Sequence, residues 1–280
     1  MTDNRPIGVF DSGIGGLTVL REIWNSVPNE STIYFGDNSR APYGTKSKST
    51  IIRYSLQNLK FLETKDVKMI VIACNTASAY AYEELKKRAN VSVVEVVTPG
   101  ADVACRSTKN GKIGIIATKG TISTGVYKDA VERRAAELGM KDIEIFEQAC
   151  PLFVSLAEEG WWDTEVTRLT AEEYLKPLKE AGVDTLVMAC THYPLLSKVI
   201  GEVMGEGIVL VNTGEATAQV VSELLNKEGI SSEESAGGPV REFYTSDEPE
   251  LFEKVAAPFL GEGLPSGTRH FSTDKYEVTI

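Results

Sequence analysis

The sequence predicts an α/β protein with mainly parallel sheets, and three observations carry that prediction. Short apolar runs alternate along the chain with longer segments whose apolar residues recur at helical spacing. Most of the short runs are continuously apolar, which is typical of strands buried on both faces of a parallel sheet. Turn residues such as Gly, Thr, Ser and Asn separate the two kinds of segment. Strands and helices that alternate in this way form an α/β architecture.

The predicted elements follow one another with few interruptions. Strands are expected at residues 7–10, 31–35, 69–73, 91–97, 112–117, 143–148, 185–189 and 208–211, with an edge strand at 241–245. Helical spacing is clearest at residues 16–26, 47–65, 76–88, 127–138 and 248–260. The polar, Gly-rich segment 231–239 is expected to be an exposed loop, and residues 265–280 show no strong pattern.

Size, charge and composition limit the class of protein. A chain of 280 residues corresponds to about two domains. The formal net charge of −11 argues against a nucleic-acid-binding surface. No apolar run approaches the length of a membrane span, and the first residues lack the apolar core of a signal peptide. We therefore expect a cytoplasmic protein with neither nucleic acid nor membrane as a partner.

Cysteine and histidine usage argues against a metal centre. None of the four cysteines belongs to a CxxC pair, and the chain has only two histidines. Disulfides are also rare in the cytoplasm. We therefore predict a protein without a bound metal.

An internal repeat appears at the predicted strand ends. IGVFDSG from residue 7 resembles IGIIATK from residue 113, IVIACNT from 70 resembles LVMACTH from 186, and VTPGA from 97 resembles NTGEA from 212. Parallel strand ends often look alike, but three matches in the same order, one with a repeated Ala-Cys pair, favour a duplicated domain. We expect one domain of residues 1–97 plus 211–280 and a second of 98–210.

Two of the cysteines lie where ligands bind in such sheets. Cys74 and Cys190 each follow an apolar strand and precede polar residues that can open a helix, whose N-terminus lowers the pKa of a thiol. Burial in the core is the alternative, and it suits Cys105 and Cys150 better. If the duplicated domains face each other, the first two thiols lie on opposite sides of one cleft. Such a pair can invert a carbon centre, because one group removes a proton and the other donates one to the opposite face.

Polar residues near these thiols are candidates for supporting roles. Asp11 opens the segment DSGIGG at residues 11–16, which lacks the patterns of a phosphate loop. Its carboxylate can orient or accept a proton, or it can cap the following helix, and both interpretations stay open. His192 can stabilise a thiolate or relay a proton beside the second cysteine. Neutral groups that can cap helices or bind an amino acid are Asn75, Thr76, Thr118, Thr121 and Thr191.

Taken together, these motifs resemble the glutamate racemase family of bacterial cell-wall biosynthesis. The resemblance is collinear from residue 7 to about residue 217 and rests on DSGIGG at 11–16, PYG at 42–44, ACNTAS at 73–78, TKGT at 118–121, CPLF at 150–153 and CTHYPLL at 190–196. It implies two pseudo-symmetric α/β domains with the active site in the cleft between them. It also implies interconversion of L- and D-glutamate without cofactors, to supply D-glutamate for peptidoglycan, and commonly a homodimer.

The resemblance also assigns roles to residues. The cysteine matching Cys74 removes the proton from D-glutamate and the one matching Cys190 removes it from L-glutamate, with Asp11, Glu158 and His192 assisting. The implied substrate contacts are Ser12, Pro42, Tyr43, Gly44, Asn75, Thr76, Thr118, Thr121 and Thr191. Two positions depart from the family pattern, namely Ala189, where Gly is frequent, and Asn212-Thr213, where Asp-Ser is usual.

Three other functions fit parts of the pattern. A racemase for aspartate would share the fold and the cysteine pair. A cysteine hydrolase built on Cys190 and His192 would leave Cys74 unexplained, and residues so close in sequence seldom form a nucleophile–base pair. A binding protein for a small anion would need neither thiol.

Overall fold

The structure is a computed structural model that describes residues 2–233, 237–261 and 263–279. These residues form ten strands, and every strand pair is parallel. In chain order the strands are β1 (Ile7–Asp11), β2 (Thr32–Gly36), β3 (Met69–Ile72), β4 (Ser92–Glu95), β5 (Lys112–Ala117), β6 (Glu144–Ala149), β7 (Thr185–Ala189), β8 (Val209–Asn212), β9 (Arg241–Thr245) and β10 (Thr268–His270).

Helices connect most of the strands, as parallel pairing requires. The five helices predicted above are confirmed to within two residues at each end. The helices are α1 (Leu17–Ser26), α2 (Lys48–Glu63), α3 (Asn75–Arg88), α4 (Val97–Ser107), α5 (Lys119–Thr124), α6 (Val126–Glu137), α7 (Leu152–Glu158), α8 (Glu165–Glu180), α9 (Ser197–Met204), α10 (Thr213–Glu228) and α11 (Pro249–Leu260). Within the described ranges, no helix is both long and apolar enough to cross a membrane.

The strands divide into two sheets with related topology. The first sheet has the order β10-β9-β2-β1-β3-β4, and the second has the order β6-β5-β7-β8. The order β2-β1-β3-β4 matches β6-β5-β7-β8 if β1 corresponds to β5 and β3 to β7. The predicted α/β class with parallel sheets is therefore confirmed.

One strand was placed wrongly by its sequence pattern. The segment 241–245 does form a strand, but β9 is not an edge, because β10 pairs with it on the side away from β2. The strand β10 has only three residues, and most of it is exposed, so it carries no apolar signal. Residues 234–236 of the predicted 231–239 loop lie outside the described residues.

Burial on both sheet faces explains why the strands read as continuous apolar runs. In β1, Ile7 and Val9 pack with α1 and α11, whereas Phe10 packs on the opposite face with α2 and α3. In β5, Ile113 and Ile115 pack with α4 and α6, and Ile116 packs with α7 and α8. Alternate residues therefore enter different cores, and both need apolar side chains.

Candidate active site

The loop after β1 begins with a buried carboxylate. Asp11 is fully buried, and its Oδ2 accepts a hydrogen bond from the backbone N–H of Gly13 at 2.9 Å. Its Oδ1 has no hydrogen-bond partner among the described residues. Burial raises the pKa of Asp11, and the nearby His192 partly opposes that shift. Gly16, rather than Asp11, occupies the N-cap of α1, so the capping interpretation of Asp11 is wrong.

The same loop contacts the residues that follow β7 in the second sheet. A Cβ on Gly15 would lie 2.3 Å from Thr191 Oγ1 and 2.5 Å from His192 Cε1, so only glycine fits there. Thr18, in the first turn of α1, donates its hydroxyl hydrogen bond to the carbonyl of Thr191 at 2.8 Å. The carboxyl ends of β1 and β7 therefore meet at residues 11–16.

Cys74 follows β3 at the N-cap of α3. Its sulfur accepts a hydrogen bond from Ala77 N–H at 3.4 Å and donates one to Ser12 Oγ at 3.4 Å. Burial, reinforced by the carboxylate of Asp11, raises the pKa of Cys74 to about 12. The expectation that the helix N-terminus makes this thiol acidic is therefore wrong, because burial outweighs the amide hydrogen bonds. Near neutral pH Cys74 is a thiol.

Cys190 has different surroundings. Its sulfur lies 3.8 Å from His192 Nδ1, and His192 Nε2 lies 2.9 Å from Glu158 Oε1. Burial opposes a charge on the imidazole, but the hydrogen bonds to Cys190 and Glu158 outweigh it and raise the pKa of His192 to about 10. The chain continues into the short 3-10 helix Tyr193–Leu196, so no α-helix begins directly after this cysteine. The sequence pattern predicted a helix N-terminus beside Cys190. The structure instead places the positively charged imidazole of His192 there.

Asn75 is held by a residue that sequence analysis missed. The hydroxyl of Tyr127, which is buried in α6, donates a hydrogen bond to Asn75 Oδ1. Asn75 Nδ2 is buried and has no hydrogen-bond partner among the described residues. Tyr127 lies in an ordinary helical pattern, so nothing in the sequence marks it. Its contact leaves the Asn75 amide N–H group free to donate.

Three threonine hydroxyls form a cluster that joins the two halves of the site. Thr76 Oγ1, at the start of α3, lies 3.1 Å from both Thr118 Oγ1 and Thr121 Oγ1, which are themselves 3.1 Å apart. Thr118 also caps α5, because its side chain accepts from Thr121 N–H at 3.3 Å. The capping role and the clustering therefore coexist at Thr118. Each hydroxyl can exchange these contacts for a ligand.

The loop at residues 42–44 packs beside this threonine cluster. A Cβ on Gly44 would lie 3.0 Å from Thr118 Cβ, which brings the loop against the start of α5. The side chain of Tyr43 is buried, and its hydroxyl donates to Asp37 and accepts from Asn58 Nδ2. Because that hydroxyl is fully engaged, the backbone of the loop is the part that can contact a ligand.

The other two cysteines lie in the core, as expected. The thiol of Cys105 donates to the carbonyl of Val131, and the thiol of Cys150 donates to the carbonyl of Gln148, both at 3.6 Å. Burial raises the pKa of both thiols. Within the described part of the chain, both thiols hydrogen-bond only to backbone carbonyls.

Comparison with known proteins identifies the family. The family model described as Asp/Glu/Hydantoin racemase matches residues 7–221. The chain is 50% identical to a glutamate racemase of Geobacter metallireducens over 276 residues, which cover 99% of this chain and 97% of that protein.

Solved structures give the same result. Glutamate racemase isoform RacE1 of Bacillus anthracis superposes with a TM-score of 0.90 at 34% identity, covering 96% of this chain and 98% of that one. The glutamate racemase of Francisella tularensis, solved in complex with D-glutamate, has a TM-score of 0.88 at 36% identity and covers 98% of this chain and 100% of that one. Since sequence and structure agree over nearly its whole length, the chain belongs to the Asp/Glu/hydantoin racemase family, among its glutamate racemases.

Proposed function

We propose that the chain interconverts L- and D-glutamate by a two-base mechanism that uses Cys74 and Cys190 and needs neither pyridoxal phosphate nor a metal. The observation that carries the proposal is the loop at residues 11–16, which touches the surroundings of both sulfurs. Ser12 accepts the hydrogen bond from Cys74, and Gly15 packs on His192 beside Cys190. Two acid/base groups with different surroundings at one site suit the inversion of a carbon centre.

In the L-to-D direction, Cys190 is the base and Cys74 is the acid. The sulfur of Cys190 removes the α-proton of L-glutamate, with the positively charged imidazole of His192 beside it at 3.8 Å. The electron pair of the broken C–H bond stays on the α-carbon until the thiol of Cys74 donates its proton to the opposite face. The products are D-glutamate, a neutral Cys190 and a Cys74 thiolate. Glu158 holds the imidazole by accepting a hydrogen bond from its Nε2–H group.

In the D-to-L direction, Cys74 must first lose its proton. We assign Asp11 the role of accepting that proton or orienting its transfer, because it is buried next to Cys74 and one carboxylate oxygen is unpaired. Burial raises the pKa of Asp11, so this carboxyl can hold a proton more readily than an exposed one. The cysteine–Asp11 pair on one side then mirrors the cysteine–His192 pair on the other.

The proposed substrate contacts are mainly neutral donors. In a chain with a net charge of −11, an anionic amino acid needs local hydrogen-bond donors rather than long-range attraction. The unpaired N–H group of Asn75, the threonine hydroxyls and the backbone of the 42–44 loop provide them. The full proposed set is Ser12, Pro42, Tyr43, Gly44, Asn75, Thr76, Thr118, Thr121 and Thr191.

The proposed mechanism rests on a duplicated architecture. We place one domain at residues 1–97 plus 211–280 and the other at 98–210, although β8 extends across the second boundary. The matching strand orders of the two sheets support this division. The strands that carry or directly precede the three sequence repeats, namely β1 with β5, β3 with β7 and β4 with β8, are equivalent in those orders.

The proposed setting is the one that the resemblance to the glutamate racemase family implies. We infer that the enzyme is cytoplasmic, acts as a homodimer and supplies D-glutamate for peptidoglycan. The support is the 50% identity to a glutamate racemase over nearly the whole chain. Equilibrium sedimentation tests the dimer, because a homodimer doubles the mass of the 30.5 kDa chain.

The direct test is formation of D-glutamate from L-glutamate, followed by circular dichroism or a coupled enzyme. The assay uses protein dialysed against a chelator and is repeated with L-aspartate at the same concentration. The proposal predicts full activity on glutamate after dialysis, no bound pyridoxal phosphate by absorbance and much slower turnover of aspartate. Activity that depends on added zinc or pyridoxal phosphate would refute the cofactor-independent mechanism, and a preference for aspartate would refute the substrate.

A further inference from the structure

We propose that Arg40 is a positioning residue for the loop at residues 42–44, and that the C-terminal segment at residues 271–279 holds Arg40 in place. This inference rests on the proposed function, because it takes that loop to contact glutamate. It adds a distant part of the chain to the substrate site.

Asp37 fixes the loop through a hydrogen bond from Tyr43. The buried hydroxyl of Tyr43 donates to Asp37 Oδ2, and burial followed by the charge of Asp37 raises the pKa of Tyr43 well above its usual value. That hydroxyl therefore stays a neutral donor. Asp37 is itself fully buried, and Ser246 donates a hydrogen bond to its Oδ1 at 2.9 Å. A buried carboxylate requires a charged partner, since an unpaired one is costly to desolvate.

Arg40 is that charged partner, and all its donors are used. The guanidinium packs over the ring of Tyr54 at 4.1 Å, and its side chain is only 9% exposed. Its five N–H groups have partners at 2.5–3.2 Å, namely Asp37, Gln57, Asn58, Thr273 and Asp274. A planar fork with every donor satisfied fixes its partners more rigidly than a lysine would.

Two of those partners belong to the C-terminal segment. Thr273 is buried and accepts from Arg40 Nη2 at 2.5 Å, whereas Asp274 is exposed and accepts from Nη1 at 3.2 Å. The segment is anchored independently of Arg40, because the ring of Phe271 packs 4.3 Å from that of Phe61 in α2. Two side chains of α2 also donate hydrogen bonds to the backbone of the segment. Gln57 donates to the carbonyl of residue 276, and Lys60 donates to that of residue 277.

These contacts form one chain of fixed groups. The C-terminal segment is held on α2 and presents Thr273 to Arg40, which pairs with Asp37, which holds Tyr43 in the loop. These side chains can affect substrate binding without touching the substrate, because together they fix the position of the loop. If the loop binds glutamate equally in the ground state and the transition state, loosening it weakens binding without slowing chemistry.

The test compares single substitutions on the C-terminal segment and at Arg40. Thr273→Val keeps the volume but removes the acceptor, Thr273→Ser keeps the acceptor, and Thr279→Val is an exposed control on the same segment. We expect Thr273→Val to raise KM for glutamate about fivefold and Arg40→Met about tenfold or more, with kcat changed less than about twofold. Thr273→Ser and Thr279→Val should keep the wild-type KM.

A second readout does not depend on activity. Hydrogen exchange of the amides at residues 43–46 should be faster in Thr273→Val and Arg40→Met than in the wild type, and unchanged in Thr279→Val. Unchanged exchange and KM in both folded variants would overturn the inference, as would a fall in kcat at constant KM. A wild type without racemase activity would refute the proposed function, and the exchange data alone would then decide whether Arg40 positions the loop.

Discussion

The Nδ1 atom of His192 lies 3.8 Å from the sulfur of Cys190, and no such cation accompanies Cys74 among its described contacts. Cys74 instead shares its surroundings with the carboxylate of Asp11, which disfavours a second negative charge. The two cysteine residues are almost equally buried, at 5% exposure for Cys74 and 7% for Cys190. The two sites therefore differ in the charge beside the thiol and not in solvent access.

This difference predicts unequal alkylation. Iodoacetamide reacts with thiolates, and the pKa of Cys74 is raised, so Cys74 should be modified about tenfold more slowly than Cys190 near pH 7.5. Peptide mass spectrometry after limiting exposure measures both sites in one sample. His192→Gln should slow modification of Cys190 and leave that of Cys74 unchanged. Equal rates at the two sites, or faster reaction of Cys74, would contradict the assignment of charges.

The histidine also predicts a pH dependence of stability. The pKa of His192 rises from its ordinary 6.5 to about 10 on folding, so the folded protein holds its proton more tightly than the unfolded chain. The resulting stabilisation is fully present below pH 6.5 and is lost as the pH rises through about 10. Urea unfolding at pH 6, 8 and 10 measures the free energy of unfolding. The difference in this free energy between wild type and His192→Gln should become smaller as the pH rises. A gap that widens with pH would show that the imidazole is neutral in the fold.

Substitution of Gly15 tests whether the contact between the loop at residues 11–16 and the residues after β7 is required for activity. In Gly15→Ala, the new Cβ would overlap Thr191 Oγ1 and the imidazole of His192. We expect a loss of about 1–3 kcal/mol in unfolding free energy and at least tenfold lower kcat/KM. Gly201→Ala is the control, because its Cβ meets only Leu210 at an ordinary 3.6 Å. Normal activity in Gly15→Ala would show that the loop can move away without consequence.

The catalytic assignment predicts a sharp contrast among the four cysteines. Cys74→Ala and Cys190→Ala should each lower racemisation in both directions by about 10⁴-fold or more, because each direction needs one thiol to donate a proton and the other sulfur to remove one. Cys105→Ala and Cys150→Ala should mainly lower stability, since those thiols bond only to backbone carbonyls. Initial rates from each enantiomer, with circular dichroism to confirm folding, measure the contrast. Substantial activity in a folded Cys74→Ala or Cys190→Ala protein would remove that residue from the mechanism.

The sequence predicted the buried strands and the positions of the two cysteines correctly, because each depends on a local residue pattern. Continuous apolar runs predicted the buried strands because both faces of each sheet are covered by helices. The position of Cys74 and Cys190 directly after two such strands predicted their place at the carboxyl ends of β3 and β7. The pairing of Glu158 with His192 agrees with the supporting roles that the family resemblance gave to both.

The sequence was uninformative where a property depends on residues far apart in the chain. The high pKa of Cys74 comes from burial and from Asp11, 63 residues earlier, and a local helix rule cannot include either. Tyr127 meets Asn75 only because α6 packs near the start of α3. The contact between Arg40 and Thr273 spans 233 residues and has no sequence signature.

The proposed mechanism has two different groups acting on opposite faces of the α-carbon, and solvent deuterium distinguishes it from a mechanism with one base. L-Glutamate is converted in deuterated water, the reaction is stopped at low conversion, and the α-position of both enantiomers is analysed by mass spectrometry after separation. Because the Cys74 thiol equilibrates with solvent before it donates, the D-glutamate formed should carry deuterium, whereas the remaining L-glutamate should keep its original hydrogen. D-Glutamate that retains the original hydrogen, or L-glutamate deuterated as fully as the product, would show that one group serves both faces.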